Sequence, residues 1–291
     1  MRLAPVIKWS GSKSSQAEEI IARFPWTIDT YYEPFCGGCS VLHRLMNTPA
    51  ISVKRYVVSD INADLIATWQ EIKTNPKSLI AAYKTLWTQF NYGFEKDFPS
   101  SSEYRSALFA HRKEFFYKIR ERLNKEHRPS DFLFLMRTCV NGMPRYNNSG
   151  FYNSPCHFSR PGIDPVALNK ICCQWSDLLN ANDVEFRCCS CADIKPYSKK
   201  DFVYLDPPYF NTKGMYFGTI PFGDFFDWMR SLSCKWALSF DGRTDKEDMT
   251  SDVPADLYET HEYLKSGNSS FRRVVGTDRH ANVEESLYRN F

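Results

Sequence analysis

Hydrophobic and polar positions along the chain change period several times, and each change marks an element. Thr30, Tyr31, Tyr32, Glu33, Pro34 and Phe35 read as a short strand running into a glycine turn, with a helix beginning near Ser40. Arg55, Tyr56, Val57, Val58, Ser59 and Asp60 read as the next strand, followed by a helix over residues 63–73. Residues 184–191 alternate between faces as a strand does, and residues 201–206 and 235–240 add two more strands. Strands separated by helical stretches predict an α/β protein on a parallel or mixed sheet. Before the first strand, Ile20, Ile21 and Phe24 mark a further helix.

The middle of the chain breaks this alternation. Phe115, Phe116, Ile119 and Leu123 fall at helical spacing, with basic residues on the opposite face. Residues 141–150 then form a turn-rich loop. The middle therefore reads as an insertion: residues 1–65 and 165–291 are expected to form the α/β domain, and residues 66–164 a mostly helical inserted domain. No internal repeat or low-complexity tract is present.

Composition narrows the class. The 291 residues are 43% hydrophobic and 24% charged, which excludes a disordered chain. No apolar run approaches the ~18 residues of a membrane helix, and residues 1–8 lack the hydrophobic region of a signal peptide. A soluble, cytoplasmic protein without a membrane partner is expected. The formal net charge of +3 is too small to indicate an acidic partner. Its distribution says more: residues 101–160 hold eleven Lys/Arg against five Asp/Glu, so they carry +6 and the remainder −3. A solvated helix face would explain the basic run by itself. The run continues into Arg137 and the loop holding Asn141, Arg145 and Asn147, side chains suited to reading base edges in a groove.

The ten cysteines read as buried thiols of a reducing compartment. Cys36 and Cys39 have CxxC spacing but no second pair completes a zinc site, and no metal is expected. Cys172, Cys173, Cys188, Cys189 and Cys191 form a denser group, three of them on the predicted strand over 184–191.

Three constellations carry chemistry. Glu33, Pro34, Phe35, Gly37 and Gly38 follow the first strand, and Asp60 ends the second, 23 residues after Gly37. Glycines there let a ligand approach the backbone, and an acidic residue at about this spacing can bind ribose hydroxyls. The pattern is not GxGxxG, so a dinucleotide is disfavoured. Lys8, Trp9, Gly11 and Lys13 form a small-residue turn able to close over an anionic or aromatic ligand. Asp206, Pro207, Pro208 and Tyr209 end a strand at the sheet's carboxyl edge, where the prolines stiffen the chain and remove two donors. A carboxylate, an exposed carbonyl and an aromatic ring together can take both hydrogens of an aromatic amine while stacking on its base.

These motifs, in this order, resemble those of the Dam-type (D12 class) DNA adenine N6-methyltransferases. The resemblance spans nearly the whole chain, ending with Val283, Glu284, Glu285, Ser286, Leu287 and Tyr288, similar to the family's last strand. It implies a Rossmann-like S-adenosylmethionine-dependent methyltransferase sheet with an inserted DNA-recognition domain carrying a hairpin loop. The cofactor site would comprise Trp9, Lys13, Glu33, Pro34, Phe35, Gly37, Gly38, Asp60 and Asp193. Asp206 and the Pro207 carbonyl would bind the target amine, with Pro208 completing the rigid turn and Tyr209 stacking on an extruded adenine. Double-stranded DNA would be read by Lys8, Arg137, Asn141, Arg145, Asn147 and Pro155. In relatives that methylate adenine in GATC, positions matching Lys8, Asn141, Arg145 and Pro155 contact or invade the site, which makes GATC the leading recognition sequence. This chain departs in having Met143 where leucine is usual, and Tyr152, Asn153, Ser154, Pro155 and Cys156 where Phe-Asn-Val-Pro-Gly is usual.

The implied chemistry is methyl transfer by a monomer, without metal or covalent intermediate. Positioning supplies the acceleration, reaching ~7–11 kcal/mol in well-aligned cases. Base flipping costs a few kcal/mol that the insertion must offset. Proton loss follows transfer, so a strong general base is unnecessary. Cytosine C5 methylation would need a nucleophilic cysteine, and Cys156 lies in the recognition loop instead of the sheet. Two alternatives stay open: a methyltransferase on RNA or a protein amide, and a non-catalytic DNA-binding relative.

Overall fold

A computed structural model describes residues 3–92, 102–208, 221–244, 247–250, 252–266 and 283–291. The chain divides into two compact units. One comprises residues 1–2, 11–62 and 180–291, the other residues 3–10 and 63–179. The helical unit is therefore larger than the expected insertion over 66–164, because the N-terminal strap and the helix after the hairpin cluster with it.

The first unit is built on a seven-stranded sheet. Its strands are β1 (Thr27–Glu33), β2 (Ser52–Asp60), β3 (Val184–Cys188), β4 (Phe202–Leu205), β5 (Lys235–Thr244), β6 (Thr260–Ser266) and β7 (Val283–Arg289). The order across the sheet is β3-β2-β1-β4-β5-β7-β6. Neighbours from β3 to β5 pair in parallel, and β7 runs antiparallel to both β5 and β6. The predicted strands are present with shifted ends. β1 stops at Glu33 because Pro34 has no N–H for the ladder. The strand expected over 184–191 stops at Cys188, and Cys191–Asp193 winds into a single 3-10 turn.

Alternation along β4 assigns the two faces of the sheet. All four residues of β4 are buried, as expected of a central parallel strand covered on both sides. Phe202 and Tyr204 meet Phe24, with ring centroids 4.5 and 5.7 Å away, on the face covered by α1 (Ala17–Ile21) and α2 (Ser40–Met46). Val203 and Leu205 point the other way and join Tyr32, Trp236, Leu238 and Phe240 in a core closed by Phe225, Phe226 and Met229. Those last three residues come from one face of a helix that spans Phe222–Ser231.

The helical unit holds α3 (Ala63–Thr74), α4 (Pro76–Phe90), α5 (Ser102–Glu126), α6 (Pro129–Thr138) and α7 (Pro165–Asn180); the Phe222–Ser231 helix of the sheet unit is α8. At its centre α6 buries Phe132, Leu133, Phe134, Leu135 and Met136 completely. Trp69 of α3 and Trp175 of α7 pack with centroids 4.9 Å apart. The apolar stripe of α5 is present, with Phe116, Ile119 and Leu123 buried. Asp131, fully buried, accepts two bonds from Arg122 at 2.7 and 2.6 Å, which ties α6 to α5.

One irregularity in the sheet matters for the site. Between β5 and β7 the register shifts at Phe240/Arg243, so Asp241 and Gly242 together oppose Glu285. A Cβ on Gly242 would lie 2.1 Å from the Glu284 carbonyl oxygen and 2.7 Å from Glu285 Cα. Only glycine fits there without moving the β7 backbone. Gly242→Ala is expected to lower stability by about 1–3 kcal/mol, as overpacked sites do; an unchanged melting temperature would show that the bulge yields freely.

Candidate active site

The strand order reverses direction between β1 and β4, and α/β sheets bind ligands at the carboxyl ends of strands beside such a reversal. Tyr31 pairs with Phe202 and Tyr32 with Val203, so these two carboxyl ends lie side by side. Glu33 ends β1, and Asp206 follows Leu205 at the end of β4. Asp206, Pro207 and Pro208 thus leave the sheet at its central edge; Tyr209 lies outside the described residues.

Lys13 is the hub of this edge. Only 4% exposed, it places its ammonium Nζ 3.1 Å from Asp206 Oδ1 and 3.0 Å from Glu285 Oε2. Its backbone fixes it from both directions. The Lys13 N–H donates to Ser40 Oγ at the start of α2, and its carbonyl accepts from Gln16 and Ala17 at the start of α1. Burial works against the charged lysine, but Asp206 and Glu285 outweigh it and its pKa is raised. The resemblance assigns Lys13 to the cofactor, whereas this ammonium engages the carboxylate expected to bind the target amine. Glu285 and Asp241 were not expected at the site. Their signal is faint: Glu284 and Glu285 occupy successive places on β7, and Glu284 turns instead to Arg243, 2.6 Å away.

The glycine turn after β1 is held by carboxylates. Gly37 adopts φ of 44° and donates to Asp60 Oδ2 at 3.3 Å, while Asn62 donates to Asp60 Oδ1 at 3.0 Å. Cys36 N–H donates to the Ser59 carbonyl, clamping the turn to β2. Burial pushes the Asp60 carboxyl up to about 6 against these N–H bonds. Glu33, 3% exposed, accepts from the Tyr31 hydroxyl at 2.7 Å. Burial pushes Glu33 up to about 8, the charge of Asp206 adds to this, and the Tyr31 hydroxyl holds part of it back. Pro34 is buried beneath the turn, Gly38 is half-buried, and Phe35 packs edge-on against Phe225 at 6.0 Å.

Other expected cofactor residues have different surroundings. Asp193 is exposed and accepts from the Ser190 N–H at 3.0 Å, closing the cap of its own 3-10 turn. Trp9 is half-buried in the strap that clusters with the helical unit.

Within that helical unit, a hairpin is closed by bridges between Cys139 and Cys156 and between Tyr146 and Tyr152. Asn141 and Gly142 both take left-handed backbone, with φ of 59° and 63°. A Cβ on Gly142 would lie 2.5 Å from Lys8 Cγ, and Ser10 N–H donates to the Gly142 carbonyl, so Lys8 lies across the base of the hairpin beside Asn141. The Pro155 carbonyl accepts from Val140 N–H, and Arg145 is exposed with its backbone pinned by Ser154. Lys8, Asn141, Arg145 and Pro155 are therefore brought to one hairpin. The Asn147 Oδ1 accepts from Ser149 and Phe151 N–H at the tip. Arg137 is spent on the fold, donating to the carbonyls of Val6 and Pro5, with burial lowering its pKa to about 10.

The cysteines divide by location. Among the described residues Cys36, Cys39, Cys139, Cys156, Cys172, Cys191 and Cys234 are buried, whereas Cys188 is exposed. Burial pushes the Cys156 thiol up to about 12, and its Sγ sits 3.9 Å from the Arg112 carbonyl, which suits a core thiol and not a nucleophile. Among the described residues no cluster of His, Cys, Asp or Glu could hold a metal ion, and no helix is long and apolar enough to cross a membrane.

The strand order, reversing between β1 and β4 and carrying an antiparallel β7 between β5 and β6, is that of a Rossmann-like methyltransferase sheet. The chain belongs to the family of D12 class N6 adenine-specific DNA methyltransferases, whose model matches residues 9–227. It is similar to the type II methyltransferase M.MjaIII of Methanocaldococcus jannaschii, 31% identical over 224 residues that cover 72% of this chain and 70% of the relative. It is also similar to the retron Ec67 DNA adenine methylase of Escherichia coli, at 25% identity over 99% of this chain and 82% of the other. The DNA adenine methylase of Haemophilus influenzae is 28% identical over 70% of this chain and 63% of its own length. Among solved structures, an rRNA methyltransferase from Streptomyces viridochromogenes overlays distantly, with a TM-score of 0.39 and 14% identity over 99% of this chain and 90% of that one. The protein is thus an adenine-specific DNA methyltransferase.

The raised Glu33 carboxyl has a consequence for stability. Its folded value of about 8 exceeds the ordinary 4.5, so the fold favours the protonated form and loses stability as pH rises through that window. Glu33→Gln, which keeps the Tyr31 bond without the charge, is expected to raise the melting temperature at about pH 8 far more than at about pH 5, by energies on the order of a few kcal/mol. Equal effects at both pH values, in melts without cofactor, would refute the assignment.

Proposed function

We propose that this protein transfers a methyl group from S-adenosylmethionine to the exocyclic N6 of an adenine flipped out of double-stranded DNA, with GATC as the leading site, acting as a monomer. The observation that carries this reading is the Asp206-Pro207-Pro208 turn at the end of β4, its carboxylate held by the buried Lys13 ammonium. The edge also suits the cofactor chemically. The glycine turn brings backbone without side chains at Gly37 and Gly38 to this edge, and two buried carboxyls, Glu33 and Asp60, whose pKa values are raised, would gain from a nearby cation and from hydroxyl donors. Glu33, Pro34, Phe35, Gly37, Gly38 and Asp60 would hold it, with Trp9 and Asp193 as further contacts. S-adenosylmethionine, when bound, supplies an activated methyl on a sulfonium.

The chain's own residues then have the following tasks. Asp206 and the Pro207 carbonyl accept the two N6 hydrogens, which draws the nitrogen lone pair out of conjugation with the ring. Pro207 and Pro208 fix the backbone so that this geometry need not be organised during the reaction. Tyr209 stacks on the extruded base. In the helical domain, taken here as target-recognising, Lys8, Asn141, Arg145 and Pro155 read the site. Asn147, whose Oδ1 closes the hairpin tip, would offer its amide Nδ2 to the same reading, whereas Arg137 is turned to the carbonyls of Val6 and Pro5 and is left out of that set.

Expression in a host without adenine methylation, followed by sequencing that detects methylated adenines, tests reaction, substrate and site together. Asp206→Ala is expected to abolish methylation while retaining DNA affinity in a binding assay; undiminished turnover would sink the catalytic reading. Arg145→Ala is expected to relax base preference by roughly 1–3 kcal/mol at one position, as loss of a bidentate base contact does. Unchanged relative rates on GATC and near-cognate duplexes would remove Arg145 from the reading set.

A further inference from the structure

Resting on the reading of Asp206 as the group that binds the target amine, we propose that Glu285 is a positioning residue for methyl transfer, acting through Lys13. The Lys13 ammonium spans from Asp206, at the end of β4, to Glu285, on β7, at 3.1 and 3.0 Å. Those strands are separated by β5. The contact is possible because β5 bulges at this level. Asp241 and Gly242 together oppose Glu285, and the missing Gly242 side chain lets the β7 backbone lie against it. Bulges of this kind re-aim side chains beside active sites. The neighbouring Glu284 faces away and pairs with Arg243 at 2.6 Å, so strand alternation selects one of two adjacent glutamates for the site.

The chemistry explains what the second carboxylate does. An ammonium facing Asp206 alone is free to settle over both of its oxygens, whose lone pairs the N6 hydrogens need. Glu285 draws the ammonium to the Oδ1 side and holds it at a fixed place, which fixes the Asp206 carboxylate that is to meet the amine. It also makes the charge count of the trio −1, one positive and two negative groups, so the edge favours positive charge while Lys13 stays paired. A third carboxyl, Asp241, stands on the same bulge with its Oδ2 buried and without a hydrogen-bond partner among the described residues.

The test uses the full chain with duplex DNA and S-adenosylmethionine. Glu285→Gln is expected to lower kcat on the order of 10²-fold, the effect of a small misplacement at a reacting centre, with KM for DNA and cofactor nearly unchanged. Glu285→Asp should recover part of the loss, and Glu284→Gln should leave kcat at the wild-type level. In a Lys13→Met background, Glu285→Gln should add no more than about twofold, because the pathway through the ammonium is already gone. Wild-type kcat in Glu285→Gln overturns the proposal, as does a loss that multiplies fully in the Lys13→Met background or follows a fall in melting temperature. Absence of methyl transfer by the wild-type protein in the same assay overturns the underlying reading of Asp206, and the proposal with it.

Discussion

A lysine ammonium taken out of water between two carboxylates is the constraint on which the active edge of this protein depends. Removing any of these charges from solvent costs several kcal/mol, and their mutual attraction offsets that only when the geometry is good. Here three separate parts of the chain must be correct for it to be so. The segment before α1 must bring Lys13 inward, β4 must end at Asp206, and β7 must present Glu285. Each is fixed by ordinary backbone bonding, including the Lys13 N–H to Ser40 and the Lys13 carbonyl to Gln16 and Ala17. A slip of one residue in β7 would point Glu284 at the lysine's side and Glu285 away. The ion cluster therefore couples sheet register to the position of the Asp206 carboxylate.

The same economy of charge extends to the glycine turn. Burial is what chiefly pushes Glu33 up to about 8, and the charge of Asp206 adds to it. Asp60 is pushed up by burial but is bonded by Gly37 and Asn62. Its anionic form thus holds the turn in shape, while Glu33 stays protonated near neutral pH. Two carboxyls at one sheet edge are given different states by their surroundings. Burial raises both; backbone N–H donors hold Asp60 down to about 6, whereas the charge of Asp206 adds to the burial of Glu33.

Much of this was legible in the sequence because it depends on local pattern. Alternation and β-branched or aromatic runs marked β1, β2, β4 and β5, and the Asp-Pro-Pro turn marked a strand end carrying chemistry. Glu33, Asp60 and Asp206 were read from those strand ends, Lys8 from the small-residue turn over residues 8–13, and Asn141 and Arg145 from the turn-rich loop. What was not legible depends on long-range geometry. Asp241 and Glu285 reach the site only through a bulge whose sign is the absence of a side chain at Gly242. Lys13 is placed by its position in sequence near the glycine turn, yet its ammonium faces Asp206, 193 residues further on. Arg137 and Asn147 have the composition of nucleic-acid contacts, but Arg137 donates to the carbonyls of Val6 and Pro5, and the Asn147 Oδ1 accepts from Ser149 and Phe151.

That last point changes how the charge of the recognition segment should be weighed. A count of +6 treats every basic side chain between residues 101 and 160 as equivalent. Arg112 is 2% exposed and bonded to Asn91 and the Phe158 carbonyl. Arg122 is bound to buried Asp131, and Arg120 donates to the hairpin at the Asn153 carbonyl. Asn124 adds two bonds to Tyr152 from the next turn of α5. These residues are tied into the fold, whereas Arg105, Lys113, Lys118, Lys125, Arg128, Arg145 and Arg160 are exposed. Guanidinium groups satisfy several backbone carbonyls at once and remain charged when buried, whereas lysine keeps its compact charge best in water. Within α5, Arg112, Arg120 and Arg122 are buried or tied down, whereas Arg105 and the three lysines are exposed. Part of the segment's basic composition is therefore a consequence of holding a polar loop on a helix.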